Sequence, residues 1–290
     1  MEDPRKGHSN MATSSRRTGT GSSHCVLLSF DAEEFDIPNE YGQRLPVETQ
    51  TAVGAEGLRR VLDLLDHLDV RATFFTTVRL AEAAPELVRR LADSGHELAS
   101  HGVAHSSWSE DDLKESRQVL EAIGRVPIRG FRRARLQTTS ADALRQGGYE
   151  YDSSEHPVWI PGRYNGWFLS RRPRLDQGLV RVPVSSSPVV RAPLFWLAFK
   201  NYPAWLYLAL CRWTLWVDGV LVLFFHPWEF CDVGAFDLPR YLCRPDGVTL
   251  QRRLAALIVA LKSRAEFVTY GAWMKSVFPF GEGSQWAKEP

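Results

Sequence analysis

The 290-residue chain has 44% hydrophobic and 24% charged residues, which is typical of a soluble globular protein and excludes a wholly disordered one. Its formal net charge of +1 argues against a dedicated nucleic-acid-binding protein, because it provides no long-range field. The four cysteines form no CxxC pair, which fits a reducing compartment, although four cysteines could in principle pair.

The N-terminal 24 residues are rich in Ser, Thr, Gly and Arg and have no apolar periodicity, so we predict that residues 1–24 are disordered. They lack the apolar core of a secretory signal, and we therefore expect a cytoplasmic protein. No linker-like stretch divides residues 25–275, which we assign to one domain, followed by a C-terminal tail over 276–290.

From residue 25 onward, short β-branched and aromatic runs alternate with amphipathic segments of helical length. We predict strands over 25–31, 70–75, 96–101, 127–132, 149–152, 179–184, 220–226 and 265–270. We predict helices over 54–68, 80–93, 110–123, 140–146, 204–215 and 249–263. This alternation indicates a parallel sheet with crossover connections, and seven or eight such units favour a closed or nearly closed α/β barrel. The alternative is an open doubly wound sheet, but no glycine-rich phosphate loop follows the first strand.

Polar residues cluster where the predicted strands end, in the segments SFDAEEFD, SHGVAH, GFRRAR, YDSS and FFHPWE. In a barrel these ends lie on one face, where barrel enzymes build their active sites. His101 and His105 are four residues apart, so both imidazoles would share one face if the chain turned into a helix there. Two imidazoles and a carboxylate from the first strand would form a hydrolytic metal site with an open position, although histidines at this spacing also arise by chance.

Asp31 would then lie close to a metal-bound water as a general base, and His226, which ends an apolar strand, is placed to protonate a leaving group. We expect Arg132 to orient Asp31 and Asp152 to hold the tautomer of His226. Surface salt bridges are the alternative role for both. The arginines at positions 133 and 135 compete with Arg132 for its role.

These motifs resemble the polysaccharide deacetylases, the NodB-type carbohydrate esterases of family 4, over residues 26–270. SFDAEEFD resembles the DxE subgroup, which implies that Asp31 is the base and Glu33 a metal ligand. His101 and His105 match the H(S/T)xxH spacing, with Gly102 in place of Ser or Thr. GFRRARL partly matches the third motif, YDSSEHPVW loosely matches the fourth through Asp152, and FFHPWEF resembles the fifth with His226 as the acid.

The resemblance implies a distorted (β/α) barrel and metal-dependent hydrolysis of an N-acetyl group on an amino sugar. The ion would be divalent, zinc first, with cobalt or nickel as alternatives, and the substrate a glycan or a lipid- or nucleotide-linked amino sugar. Because side chains alternate along an extended chain, we expect Asp31 and Glu33 to face the pocket and Glu34 to be a solvated or salt-bridged surface residue.

Two other functions are compatible with the sequence: hydrolysis of another non-peptide C–N bond on the same barrel, and non-catalytic binding of a glycan or lipid. The aromatic segment 192–216 is either a helix packed before a buried strand or a surface for peripheral membrane contact. In the second interpretation Phe195, Trp196, Trp205, Leu206 and Trp213 would form the apolar surface.

Overall fold

A computed structural model describes residues 24–278, so the predicted N-terminal segment 1–24 and tail 276–290 lie almost wholly outside the described residues. The strands are β1 (Cys25–Ala32), β2 (Thr73–Thr76), β3 (Glu97–Ser100), β4 (Gly130–Phe131), β5 (Tyr151–Asp152), β6 (Trp159–Ile160), β7 (Tyr164–Asn165), β8 (Arg174–Asp176), β9 (Leu179–Arg181), β10 (Val220–Phe225) and β11 (Glu266–Phe267). The α-helices are α1 (Val47–Leu68), α2 (Val78–Ala83), α3 (Pro85–Asp93), α4 (Asp112–Gly124), α5 (Ala141–Gln146), α6 (Trp196–Asn201), α7 (Ala204–Asp218), α8 (Arg240–Cys243), α9 (Gly247–Lys262) and α10 (Tyr270–Val277).

The main sheet has the strand order β10-β1-β2-β3-β4-β5-β9-β8, and β11 also pairs with β1. All of these pairings are parallel except that of β8 with β9, which is antiparallel. The segment after β9 reaches β10: the Ser185 N–H donates to the Val222 carbonyl (3.0 Å), and the Val222 N–H donates to the Ser185 hydroxyl (2.9 Å). The sheet therefore curls into a nearly closed barrel, which confirms the predicted α/β barrel.

The barrel is stabilised by a core between the sheet and its helices. Residues 26–32 of β1 are buried, as expected for a central parallel strand that is covered on both faces. The predicted apolar stripe of α1 is buried as well and consists of Leu58, Val61, Leu62 and Leu65. Burial of such side chains contributes about 1.5–3 kcal/mol each.

All eight predicted strands are present, most of them shorter than predicted. The sequence analysis missed β6, β7 and β8, which are two or three residues long and therefore too short for an alternating pattern. The predicted helix over 80–93 is in fact two helices, because Pro85 has no backbone N–H and begins α3.

The aromatic segment 192–216 is only partly a surface. Phe195 and Trp196 are 3% and 2% exposed and belong to the core, so the prediction that they form an apolar surface is wrong. Trp205 on α7 is 72% exposed, and contact of this helix with a membrane stays a prediction. Among the residues described, none of the helices combines the length and the apolar character needed to cross a bilayer.

His96 makes the stability of the fold sensitive to acid. Its Nδ1 accepts a hydrogen bond from the Ala72 N–H (3.2 Å), and Nε2 is buried without a partner. Burial and the nearby charge of Arg71 lower the pKa of His96 to about 4, below its ordinary value of 6.5. The unfolded chain therefore binds a proton first as the pH falls, and stability is lost between about pH 6.5 and pH 4.

We expect this single histidine to cost about 2 kcal/mol of unfolding free energy at about pH 5 relative to neutral pH. His96→Asn keeps an acceptor for the Ala72 N–H and should remove that part of the loss. Urea unfolding of both proteins at the two pH values measures the difference. An equal loss in both proteins would show that His96 does not titrate as described.

Candidate active site

Polar side chains from three strand ends meet in a small pocket, of about 40 Å³, at the C-terminal end of the barrel. Asp31 and Glu33 come from the end of β1, His101 follows β3, and His226 follows β10. The pocket wall includes the rings of Trp196, Phe224 and Trp228. Strands whose carboxyl ends share one edge thus bring together residues that are distant in sequence, as expected for a barrel.

Helix α1 holds two of these strand ends in place through close contact with their backbone. A Cβ atom at Gly54 would overlap the Glu33 carbonyl oxygen, and one at Gly57 would overlap the Pro227 carbonyl oxygen. The two glycines are three residues apart and lie on one helix face. Both close contacts are possible only because glycine has no side chain. The helix therefore packs against the segments that carry Glu33 and His226.

Glu33, His101 and His105 form a compact cluster. Glu33 Oε2 lies 3.1 Å from His101 Nε2 and 3.6 Å from His105 Nε2. The other ring nitrogens have outer partners: His101 Nδ1 is 2.8 Å from the Arg132 carbonyl, and His105 Nδ1 is 2.8 Å from Asp36 Oδ1. These outer contacts orient both Nε2 atoms toward Glu33, as acceptors beyond a metal site commonly orient its histidines.

The spacing of this cluster is compatible with one ion. Two ligands bound at about 2.1 Å around a tetrahedral ion lie about 3.4 Å apart, between the two distances from Glu33 to the imidazoles. The side chains of the cluster are not already spread around a vacant cation position. Among residues 24–278, no three His, Cys, Asp or Glu side chains have that arrangement. Because Glu33 and His101 are directly hydrogen-bonded, an ion would have to replace that bond.

The charges in the cluster shift its pKa values. Burial would raise the pKa of Glu33, but the charges of His105 and His226 and the hydrogen bond with His101 outweigh burial and lower it to about 2. Burial would likewise lower the pKa of His105, but Glu33 and Asp36 outweigh it and raise that pKa to about 9. Without an ion, the cluster is thus stabilised by a proton on His105.

Glu33 and Glu34 point in different directions, as the alternation predicted. Glu34 accepts hydrogen bonds from the Thr77 hydroxyl (2.8 Å) and from the His105 N–H (2.9 Å), and it pairs with Arg79. The prediction that Glu34 is a surface residue is wrong, because its side chain is fully buried. Glu34 instead fixes the backbone that carries His105.

The helical turn on which the shared face of His101 and His105 depended is absent, because residues 101–111 contain no helix. The two imidazoles nevertheless stack, with ring centroids 6.2 Å apart. Gly102 has a φ of +84°, a conformation in which a side chain is strained. Glycine at position 102 adopts this conformation without strain.

Arg132 is the arginine that contacts Asp31. Its Nη1 donates to Asp31 Oδ1 (2.5 Å), and the fully buried guanidinium also donates to Ser153 and to the Tyr270 hydroxyl. The competing arginines lie elsewhere: Arg133 stacks on Trp108, and Arg135 pairs with Glu40. A buried guanidinium with these bonds holds the Asp31 carboxylate in one orientation.

His226 contacts a carboxylate that the sequence analysis missed. Glu229 Oε1 accepts a hydrogen bond from the His226 N–H (2.8 Å) and lies 3.1 Å from His226 Nδ1. On the other side of this carboxylate, Lys200 Nζ lies 3.3 Å from Glu229 Oε2, and both side chains are fully buried. His226 Nε2 faces Glu33 Oε1 at 3.7 Å.

Asp152 is therefore not where the sequence analysis expected it. It pairs with Arg181 (2.7 Å) and hydrogen-bonds Ser154, whereas Glu229 holds the tautomer of His226. The three-residue spacing from His226 to Glu229, with Pro227 opening the turn, could have indicated a side chain that folds back on the histidine. No pattern near Lys200 in the sequence predicted that this residue of α6 pairs with Glu229.

Comparison with known proteins relates this arrangement to one family. The family model described as polysaccharide deacetylase matches residues 18–151. A chitooligosaccharide deacetylase of Sinorhizobium fredii is 38% identical over 107 residues, which are 37% of this chain and 40% of that protein. The chain thus spans about two fifths of the length of this curated relative.

Solved structures share the whole fold. A protein described as a polysaccharide deacetylase from Mycobacterium smegmatis superimposes with a TM-score of 0.62 at 22% identity, covering 89% of this chain and 91% of that one. A second, from Pseudomonas aeruginosa, has a TM-score of 0.61 at 14% identity and covers 90% and 93%. At these identities the likeness shows a common barrel.

Proposed function

We propose that the chain, whose residues 18–151 match the polysaccharide deacetylase family model, hydrolyses the acetamide of an N-acetylated amino sugar, releasing acetate and the free amine. The observation that carries the proposal is the pairing of two acid–base groups in one pocket. Asp31 is held by Arg132 and His226 by Glu229, and both line the pocket that also contains Glu33, His101 and His105.

In this proposal Glu33, His101 and His105 would hold a divalent ion, with zinc expected first and cobalt or nickel as alternatives. Such an ion polarises a carbonyl and lowers the pKa of a bound water. The donor set of one carboxylate and two imidazoles, each oriented by an outer partner, supports this assignment.

The chain's own residues would move the protons. Asp31, oriented by Arg132, takes a proton from the attacking water. His226 donates a proton from Nε2 to the departing nitrogen, so that the C–N bond breaks with release of a neutral amine. Burial disfavours the imidazolium, but Glu33, Glu229 and Asp31 outweigh burial and raise the pKa of His226, which suits an acid.

The test is release of acetate from acetylated chito-oligosaccharides by the purified protein, measured before and after removal of bound metal. We expect hydrolysis that is lost on chelation and restored by Zn²⁺ or Co²⁺. Full activity in a sample shown to be metal-free would exclude the metal, and release of acetate from no N-acetylated sugar tested would exclude the deacetylase function.

We further expect Glu229 to act as a positioning residue. Glu229→Gln should lower kcat about 10- to 100-fold with little change in KM, because the amide no longer stabilises the charged imidazole of His226. It should also lower thermal stability, since Lys200 is left as an unpaired buried charge. The double variant Lys200→Met/Glu229→Gln should recover stability and keep the low kcat. Recovery of both would show that the pair is only structural.

A further inference from the structure

A large cavity adjoins the candidate active site. Its volume is about 680 Å³, within the range of about 300–1,000 Å³ that is usual for small-molecule sites. Five residues line both this cavity and the inner pocket, namely Glu40, Arg135, Leu136, Arg163 and Tyr164. A sugar whose acetamide lies between Asp31 and His226 would therefore extend into the cavity.

The cavity wall carries more positive than negative side chains. Glu40 is paired with Arg135 (2.7 Å), and Glu155 is held by two hydrogen bonds from Arg174 (2.6 and 2.7 Å). The remaining charged side chains of the wall are Arg133 and Arg163. Among residues 24–278, no carboxylate oxygen lies within 4 Å of either guanidinium, and the nearest acidic influences are Glu110 on Arg133 and Glu40 on Arg163.

These two guanidiniums retain donors for a ligand. Arg133 is braced by the Trp108 ring, 4.0 Å from its guanidinium carbon, and uses Nη1 for the Thr138 carbonyl (3.1 Å). Arg163 lies on the turn between β6 and β7, with its guanidinium carbon 5.6 Å from the centroid of the Tyr164 ring, and one of its N–H groups donates to the Tyr164 hydroxyl. A guanidinium has five N–H donors in a planar fork that matches phosphate and carboxylate oxygens.

His156, in the cavity wall, has hydrogen-bonding capacity that the described residues leave unsatisfied. It lines the cavity and is 3% exposed, and both of its ring nitrogens are buried without a hydrogen-bond partner. Its ring packs against the rings of Tyr164 and Phe195, with centroids 5.1 Å away in both cases. Buried polar atoms left unpaired are uncommon in native proteins and often indicate a missing ion, water or ligand.

We propose that this cavity binds an anionic group, a phosphate or a carboxylate, carried by the amino sugar whose acetamide is hydrolysed. The inference rests on the proposed deacetylation and narrows its substrate class from any N-acetylated glycan to an acidic one. Arg133 and Arg163 would bind the anion. The shared lining residues connect it to the reacting acetamide.

Three substrates test the proposal. Chitotriose is neutral, UDP-N-acetylglucosamine carries phosphates, and the disaccharide of N-acetylglucosamine with N-acetylmuramic acid carries a carboxylate. We expect kcat/KM for at least one acidic substrate to exceed that for chitotriose by about tenfold or more. The preferred acidic substrate shows whether the cavity binds a phosphate or a carboxylate. Arg133→Met/Arg163→Met should remove this preference by lowering kcat/KM for the acidic substrate about tenfold more than kcat/KM for chitotriose.

Arg145→Met is the matched control, since Arg145 is an exposed arginine on α5, paired with Asp142, that does not line the cavity. Direct binding of both acidic sugars, measured by calorimetry, keeps the test independent of turnover. Equal kcat/KM for all three substrates, equal losses in the double variant, or no binding of either acidic sugar would overturn the anionic subsite and leave deacetylation of neutral sugars standing. Binding that depends on both arginines, without acetate release, would support the subsite and overturn the proposed deacetylation.

Discussion

Replacing Glu33 by alanine should remove the metal ion and nearly all acetate release, the largest loss that we expect from a single substitution. Glu33 is the carboxylate toward which His101 Nε2 and His105 Nε2 both point. Without Glu33, only two neutral imidazoles would remain to bind the divalent ion. The ion would lose one ligand and the negative charge that offsets its own, so its affinity should fall. Elemental analysis of the purified variant, together with the acetate assay, measures both effects.

The adjacent Glu34 provides the matched control. Glu34→Gln keeps an acceptor oxygen for the His105 N–H, and its amide N–H can donate to the Thr77 hydroxyl, so it should retain metal and most of the activity. Glu34→Ala is a poorer control, because it leaves a backbone donor unpaired where the protein excludes water. Loss of metal in Glu34→Gln, with normal metal content in Glu33→Ala, would reverse the assignment of the ligand.

Replacing Asp31 by asparagine should lower kcat about 10²- to 10⁴-fold, the usual contribution of a general base, while metal content stays near that of the wild type. The amide has nearly the shape of the carboxylate but cannot take a proton from water. Arg132 would keep its bonds to Ser153 and Tyr270, which limits the structural change to the loss of one buried ion pair.

His101→Ala is the comparison for this variant, because it should lose metal as well as rate. Measuring kcat with saturating Zn²⁺ separates the two causes. If Asp31→Asn loses as much metal as His101→Ala, Asp31 is a ligand and the base is another residue. Unchanged kcat in Asp31→Asn at full occupancy would remove Asp31 from the reaction.

The barrel and the position of its pocket could be predicted from the sequence because both depend on local patterns. Buried parallel strands are recognisable as short apolar runs, and a polar residue at the end of such a run is conspicuous. Asp31, His101 and His226 were identified in this way. The alternation of side chains along a strand also distinguished Glu33 from Glu34, because β1 continues to Ala32, directly before Glu33.

The partners of these residues were decided only by the tertiary structure. Asp152 lies on the two-residue strand β5, and Glu229 lies on the short turn after His226. Which of them reaches His226 depends on where these two segments are placed in space, and the hydrophobic pattern of the sequence does not determine that. The burial of Glu34 follows from the loop that brings the His105 N–H onto it, and the ion pair of Lys200 with Glu229 follows from the docking of α6. Hydrogen bonds and ion pairs between distant segments form only once the chain has packed, because a charged group is buried only where a partner offsets its lost hydration.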